Sequence, residues 1–293
     1  MMMRCVSQPG PATDPRTIAI PAGAVDIDAT LAPGAPLLDQ LYDLLRRHGC
    51  ESGVFHMTGG TLDPFAYVIP ALSPNEQHAA YYSETFRPAG PSHLSQGAVT
   101  MGLRDGEPFF HCHAFWTESG GKSAGGHILP FETIVAGAIR VVGIGLKGAA
   151  FETHADAETG FPLFTPVPAG SHDAIPAPEL IPALAVRLKP HEDIVTSLEG
   201  VVRAVGWQRA RVHGGVGSII GARYIDAPPV DPFATEMFLT DGMIDPLGDH
   251  SHLETGLVDL TGALSSGSLV PEDNPILMTL EVVLTQCQSS VSR

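Results

Sequence analysis

The chain has 293 residues, of which 44% are hydrophobic and 16% are charged. This composition excludes a disordered acidic segment and a coiled coil, and the length is enough for about two domains of ~150 residues each. Acidic residues outnumber basic residues by 32 to 16, so the formal charge is −16. A field of this sign repels phosphate, which makes nucleic acid and anionic membrane surfaces unlikely partners.

Neither the cysteines nor the N-terminal residues indicate export. The four cysteines are scattered without a Cys-x-x-Cys motif, which argues against a zinc ribbon and fits a reducing compartment. Residues 1–16 lack the apolar segment of a secretory signal, and the most apolar stretch, residues 133–151, is interrupted by Arg140 and Lys147. We therefore expect a soluble, cytoplasmic protein without a membrane span.

The sequence repeats itself. Residues 31–50 align without a gap on residues 188–207, and each segment has apolar residues at helical spacing between a proline and a glycine. Further along the chain, residues 111–129 align with residues 252–270. Two similar segments in the same order in both halves indicate a tandem duplication.

Each copy is expected to fold as one helix among several short strands. The strands are bounded by Gly, Pro and Asp turns and show no alternating strand–helix rhythm, which predicts an α+β fold with a mainly antiparallel sheet. We expect a first domain at residues 15–161 and a second domain at residues 183–293. Residues 162–182 between them are rich in Pro, Ala and Gly and are predicted to form a linker.

Three histidines of the first copy have the spacing of a metal site. His111 and His113 are two residues apart, so in a strand both point to the same face. A hairpin centred near Gly120 would pair His113 with His127, with Cβ atoms ~5 Å apart. Three imidazoles with an open fourth position are typical of a catalytic zinc site, although imidazole also suits Cu, Fe and Ni. The alternative is a set of half-exposed surface histidines.

The second copy departs from this pattern. His252, Glu254 and Ser268 stand where the first copy has its three histidines. His252 and Glu254 could still hold an ion weakly. We expect instead that the second copy has lost the site and serves as a structural half.

Two other residues of the first copy are candidate catalytic groups for proton transfer. Glu84 lies in an aromatic-flanked segment that aligns with the segment around Glu236, and a carboxylate near a metal-activated water can take its proton. The alternative for Glu84 is a strand-edge or interface carboxylate. His56 lies in a strand-like segment where the second copy has Ser218. The alternative for His56 is a core histidine satisfied by hydrogen bonds.

The run HCHAFWTESGGKSAGGHIL, residues 111–129, resembles the signature of the PPC family (plants and prokaryotes conserved, also called DUF296). That signature is a His-x-His pair, a short turn and then Gly-Gly-His. In the second copy, GGVGSIIGA (214–222) resembles the glycine–serine strand of the family, and NPILMTLEVVL (274–284) resembles its closing strand. The resemblance extends from about residue 18 to residue 283.

The resemblance implies a compact α+β domain that usually assembles as a trimer. Two copies per chain would then give a homotrimer with pseudo-sixfold domain symmetry. Prokaryotic members carry three histidines as a zinc site, and His111, His113 and His127 match them one by one. The family is often labelled DNA-binding because plant members add an Arg-Gly-Arg-Pro hook, which this chain lacks.

Three functions remain open at this point. The first is a metal-dependent protein, with zinc on the three histidines, that acts on a small metabolite. The second is a DNA-associated transcriptional regulator, which would need a basic face within an acidic chain. The third is a non-catalytic trimeric sensor or scaffold, which would need a metal fully enclosed by protein ligands.

Overall fold

The computed structural model describes residues 4–170, 180–248 and 250–287. Among these residues there are two helices, α1 (Leu37–Arg47) and α2 (Ile194–Ala204), and a short 3-10 turn at Pro130–Glu132. The strands are β1 (Thr17–Leu31), β2 (Ser52–Thr58), β3 (Thr61–Leu62), β4 (Tyr67–Val68), β5 (Pro70–Ala71), β6 (Tyr81–Tyr82), β7 (Ser92–Arg104), β8 (Glu107–Thr117), β9 (Ser123–Ile128), β10 (Val135–Gly137), β11 (Ile139–Lys147), β12 (Ala149–Ala155), β13 (Pro162–Pro168), β14 (Ile181–Leu188), β15 (Ala210–Ile219), β16 (Thr235–Ile244), β17 (His252–Asp259), β18 (Leu264–Ser268) and β19 (Ile276–Gln286).

The two halves of the chain have the same strand order. In the first half the hydrogen-bonded order is β1-β11-β2-β7-β8-β9, and in the second half it is β14-β19-β15-β16-β17-β18. All of these pairings are antiparallel, and in each half the single helix lies between the first two strands along the chain. The fold is therefore α+β, with two tandem copies of a mainly antiparallel sheet domain, as the sequence predicts.

Each helix forms because its apolar residues recur at the spacing of one helical face. The buried residues are Leu37, Leu38, Leu41, Leu44 and Leu45 in α1 and Ile194, Val195, Leu198, Val201 and Val202 in α2. Helix α1 is followed by Gly49 and α2 by Gly206, both at positive φ, a conformation in which glycine ends helices at little cost. No helix in the described residues is long and apolar enough to cross a bilayer.

The alternation of side chains along β8 determines which residues face the second half of the chain. Cys112, Ala114 and Trp116 lie in the apolar core beneath α1, and burial raises the pKa of the Cys112 thiol. The intervening residues, His111, His113 and Phe115, therefore point to the opposite face of the sheet. There Phe115 packs edge-on against Phe238 of the second half, with ring centroids 4.9 Å apart. The histidine face of the first copy is thus turned toward the second copy.

Strand β1 joins the two sheets. Its C-terminal part pairs with β11, from Gly23 to Leu31, and its N-terminal part pairs with β14, from Thr17 to Ala24. One strand of 15 residues therefore belongs to both halves, and the described strands other than β5 and β6 form a single hydrogen-bonded sheet system.

The linker predicted at residues 162–182 contains a strand. Strand β13 pairs along its whole length with β12, from Pro162 opposite Ala155 to Pro168 opposite Ala149. Phe164 is buried against Phe151, so apolar packing outweighs the prolines of this segment, which are tolerated where a strand does not need every N–H group. Residues 171–179 of the predicted linker lie outside the described residues.

Candidate metal centre

The β8–β9 hairpin brings the three histidines of the first half together. His113 is directly opposite His127, as the sequence predicts. The Nε2 atom of His113 is 3.2 Å from Nε2 of His111 and 3.3 Å from Nδ1 of His127. One nitrogen from each ring lies within 4.8 Å of the other two. We call these three side chains the histidine triad.

The second half of the chain orients two rings of the triad. The Nδ1 atom of His111 is 2.6 Å from Oε2 of Glu281 on β19, and Nδ1 of His113 is 2.9 Å from the backbone carbonyl oxygen of Met237 on β16. A backbone carbonyl oxygen can only accept, which assigns the ring hydrogen of His113 to Nδ1, and a carboxylate oxygen of Glu281 as acceptor assigns that of His111 to Nδ1 as well. In this tautomer the Nε2 atom of each ring carries a lone pair. Metal-ligating histidines typically hold their second nitrogen in this way.

The geometry of the triad fits a transition metal ion. The Nε2 atoms of His111 and His113 face each other at 3.2 Å, a separation that requires a shared proton or a metal cation between them. Nitrogen ligands about 2.05 Å from a tetrahedral zinc ion lie about 3.3 Å apart, which matches the two short separations of the triad. Burial and the neighbouring imidazoles lower the pKa of His113 well below its usual value, and burial and His111 do the same for His127. Both rings are therefore neutral, the state that binds metal.

A buried polar chain extends from the triad into the second half. Glu281 is 1% exposed, and its Oε1 accepts a hydrogen bond of 2.9 Å from the Thr279 hydroxyl. Thr279 accepts in turn from Nε of Arg187 at 3.3 Å, and Arg187 is paired with Asp156 at 2.6 Å. Because each group fixes the next, the carboxylate that holds His111 is itself held in place.

Glu236 on β16 is a second buried carboxyl group beside the triad. It is 5% exposed, its Oε1 lies 3.9 Å from Nε2 of His113, and its Oε2 has no hydrogen-bond partner among the described residues. Burial raises the pKa of Glu236 well above the usual carboxyl value. The backbone of His127 contributes a hydrogen bond to this carboxyl group, and the unpartnered Oε2 makes Glu236 a candidate for a functional role. The sequence signal for Glu236 is a single glutamate within the apolar run FATEMFL.

Aromatic side chains surround the triad. The Tyr82 ring lies 5.3 Å from the His127 ring, and Tyr82 and Phe161 pack together with ring centroids 6.0 Å apart. Desolvation of the hydroxyl group and the nearby Glu236 and Glu281 raise the pKa of the Tyr82 phenol, while 39% of the residue is exposed.

The triad opens on a cleft of about 420 Å³. His111, His127 and Glu281 contribute to its lining, and Tyr82 and Phe161 form part of its wall. A second, smaller pocket reaches His111, His113 and Glu236 and shares Tyr82 and Phe161 with the first. The candidate metal centre is therefore accessible to a small molecule.

Glu84 lies outside this arrangement. It follows the two-residue strand β6, it is exposed, and it lines neither cavity beside the triad. The alignment that set Glu84 against Glu236 also fails. Glu236 lies within β16 opposite Val258, whereas Glu84 follows a short hairpin strand paired with β5. The shared Thr/Ser-Glu-x-Phe letters therefore do not reflect a common structural position.

His56 lies on the same sheet as the triad but two strands away. It pairs with Ala98 on β7, which pairs with His113 on β8, and two strand spacings amount to about 9.6 Å. Its Nε2 accepts a hydrogen bond of 3.3 Å from the backbone N–H of Gly214, and burial lowers its pKa. The structure therefore brings His56 to the boundary between the halves as a hydrogen-bonded histidine and not to the metal centre.

Strand register also corrects the counterpart of His56. His56 pairs with Val142 on β11, and His213 pairs with Val283 on β19, the equivalent strand. His213 is thus the second-copy equivalent of His56, in place of Ser218. The extra residues of a bulge between His213 and Val216 shift the sequence alignment at this point.

The second copy does not reproduce the triad. Glu254 pairs with Ser268 as His113 pairs with His127, so the register confirms that these positions correspond. His252 is half-exposed and lies 3.8 Å from Asp241. Within the described ranges, the triad of the first copy is the group of three metal-ligating side chains that converges on one point.

No protein-family model and no curated protein matches the chain. Solved structures do resemble it. A PPC protein from Pyrococcus horikoshii is 22% identical with a TM-score of 0.39, over 50% of this chain and 95% of its own. A metal-containing protein from Archaeoglobus fulgidus is 19% identical with a TM-score of 0.38, over 56% of this chain and 99% of its own.

A third structure is that of a Ralstonia eutropha protein whose name proposes that it binds DNA. It is 17% identical with a TM-score of 0.34, over 47% of this chain and 89% of its own. Each of the three neighbours thus covers about half of this chain with most of its own length. The structural neighbours of this tandem α+β chain include a PPC protein.

Proposed function

We propose that the chain is a metal-dependent protein that holds a zinc ion on His111, His113 and His127 and acts on a small metabolite in the adjoining cleft. One observation carries this proposal. The Nε2 atoms of His111 and His113 face each other at 3.2 Å, while their Nδ1 atoms are committed to acceptors of the second half. Two imidazoles held in this way present their Nε2 atoms to a shared cation, which is the arrangement of neighbouring histidine ligands in a zinc site.

A zinc ion at this position would supply Lewis-acid activation of a carbonyl group or a water molecule. The residues of the chain have separate tasks. Glu281 and the Met237 carbonyl keep two imidazoles in the ligating orientation. Glu236 is placed to exchange a proton with a reacting group, because it is buried beside His113 with one free oxygen and a raised pKa. Tyr82 lines both cavities beside the triad.

The location of the triad favours this function over DNA binding. His113 is 3% exposed and His127 is 9% exposed, and both lie between the halves of a chain with a formal charge of −16. A DNA duplex could not reach these rings, and the net negative charge of the chain disfavours its binding. The open cleft beside the triad argues against a purely structural metal site, in which protein ligands close the coordination shell.

Metal analysis of the untagged protein tests the proposal. We expect one zinc ion per chain after reconstitution, and we expect the His127→Ala variant to lose it. His93→Ala, which removes an exposed histidine of the neighbouring strand, is the matched control and should retain the metal. A wild-type chain that takes up no metal would overturn the proposal. Two ions per chain would mean that His252 and Glu254 also bind.

The metabolite part of the proposal needs its own test. The zinc-loaded protein and the His127→Ala variant are compared in a screen of small-molecule hydrolysis and elimination reactions. Turnover that depends on His127 supports the proposal. A fully loaded protein that neither binds nor converts any small molecule would favour a structural or sensory metal site.

A further inference from the structure

The cleft beside the triad has the character of a binding site for an aromatic compound. Its volume of about 420 Å³ falls within the range of about 300–1,000 Å³ found for small-molecule sites. Aromatic rings dominate its walls, namely those of Tyr81, Tyr82, Phe109, Phe131, Phe161 and Phe164. Such rings recognise other flat rings by stacking and edge-to-face contact.

A cation lies on the same face of the sheet as the triad. Thr100 is opposite His111, and Arg104 is four residues further along β7, so its side chain points to the same side. The Arg104 guanidinium lies over the Phe109 ring, 5.0 Å from its centroid. Phe109 is two residues before His111 on β8, which corresponds to about 7 Å along the strand. The cleft therefore has a metal centre at one end and a guanidinium at the other.

Arg104 is a charged residue of this cleft without an ion-pair partner among the described residues. The two carboxylates in the lining already have partners: Glu132 is 2.6 Å from Arg87, and Glu281 is 2.6 Å from His111. Among the described residues, Arg104 has no carboxylate within ion-pair distance, and its guanidinium lies on the Phe109 ring. A guanidinium that rests on an aromatic ring keeps its N–H groups available for an anion.

We propose that the cleft takes a small aromatic carboxylic acid. Its carboxylate would lie on Arg104, its ring against the aromatic wall that includes Phe109 and Phe161, and its opposite end would reach the triad. This inference deepens the proposed function and rests on it for the metal end of the ligand. The Arg104 end rests on the aromatic and charged lining alone.

Calorimetric titration of the zinc-loaded protein tests the inference. The probes are 4-hydroxybenzoate and 3-(4-hydroxyphenyl)propanoate, each compared with its uncharged amide. We expect at least one acid to bind about 10- to 100-fold more tightly than its amide, because the guanidinium pairs with a carboxylate and not with an amide. The Arg104→Gln variant should abolish this preference. Arg211→Gln removes an exposed arginine of the second half and should leave it unchanged.

The outcomes separate this inference from the metal proposal, because zinc content is measured on the same samples. A loaded protein that binds neither acid more tightly than its amide would overturn the inference and leave the metal centre standing. An acid preference that survives Arg104→Gln would overturn it as well. An acid preference that depends on Arg104 in a chain that takes up no zinc would support the inference and overturn the metal proposal. Phe161→Ala should weaken the binding of the acid and of its amide to the same extent.

Discussion

His111 of the first half donates its Nδ1 hydrogen to Oε2 of Glu281 in the second half, at 2.6 Å. The candidate metal centre is therefore assembled between the two copies, although all three of its histidines belong to the first. This changes the role expected of the second copy. Its own triad is lost, yet its strands β16 and β19 supply the groups that orient the histidines of the other copy.

Removal of the Glu281 carboxylate is predicted to weaken metal binding without abolishing it. In Glu281→Gln the amide no longer offers a charged acceptor to His111, and we expect zinc affinity to fall about 10- to 100-fold. Competition with a chromophoric chelator measures the affinity. Glu254→Gln, at the second-copy position equivalent to His113, is the control and should bind zinc as the wild type does. Equal affinities of the wild type and Glu281→Gln would refute the assigned role of this carboxylate.

Removal of the Thr279 hydroxyl is predicted to weaken zinc binding, but less than removal of the Glu281 carboxylate does. The hydroxyl links Arg187 to Glu281, so Thr279→Val keeps the shape of the side chain but leaves Oε1 of Glu281 without this donor. We expect zinc affinity to fall by about threefold to tenfold, in line with one hydrogen bond. The chelator competition used for Glu281→Gln is the measurement. A Thr279→Val loss greater than that of Glu281→Gln would show that Thr279 acts by another route.

The packing of Phe238 against Phe115 is predicted to couple stability to metal binding. Phe238 is 2% exposed at the boundary between the halves, and Phe238→Ala should cost about 3–5 kcal/mol of unfolding free energy. Zinc affinity should fall too, because Met237 and Glu281 lose their alignment with the histidines. Leu253→Ala is the control: Leu253 is fully buried in the second-half core, so the variant should lose stability while the folded protein keeps its zinc affinity. Urea unfolding and zinc titration report the two effects.

The stability of the metal-free protein is predicted to fall in mild acid, in part through His213. Burial, Arg211 and His56 lower the pKa of His213 to about 4 in the folded chain, against an ordinary value of 6.5. As the pH falls below 6.5, the unfolded chain takes up a proton that the folded chain refuses, so stability is lost until the pH reaches about 4. Between pH 7 and pH 5 this amounts to about 2 kcal/mol at most.

Urea unfolding of the metal-free protein at pH 7 and pH 5 measures the contribution of His213. In His213→Gln the loss of stability between the two pH values should be smaller than in the wild type by about 2 kcal/mol at most. Buried histidines that do not interact with His213, such as His127, add to the pH dependence of both proteins and cancel in the comparison. The same loss in both proteins would contradict the assignment to His213.

The parts of the fold that were predictable from the sequence depend on local patterns. Helices α1 and α2 follow from apolar spacing, and the pairing of His113 with His127 follows from a turn that contains Gly121 at positive φ. The sequence repeat predicts two copies of one domain, and the two halves of the structure share the same strand order. The homotrimer and the cytoplasmic location stay predictions.

The remaining features depend on how the two halves pack. Glu281 and Met237 lie far from the histidines in sequence, and no local pattern links them to the triad. The polar candidate chosen from the sequence, Glu84, is exposed, whereas Glu236 is buried beside His113. The prolines of β13 indicate a linker and not a strand. The strand forms because Phe164 is buried against a neighbouring strand, which the local sequence does not show. Information of this kind comes from contacts between distant segments.

X-ray absorption spectroscopy at the zinc edge of the loaded protein is the most direct test of the central claim. The account predicts nitrogen or oxygen scatterers at about 2.0–2.1 Å, with the outer-shell pattern of three imidazoles and no sulfur. The pattern should diminish to two imidazoles, or the zinc should be lost, in His127→Ala. A sulfur scatterer at about 2.3 Å, or fewer than three imidazoles in the wild type, would contradict a zinc site built from His111, His113 and His127.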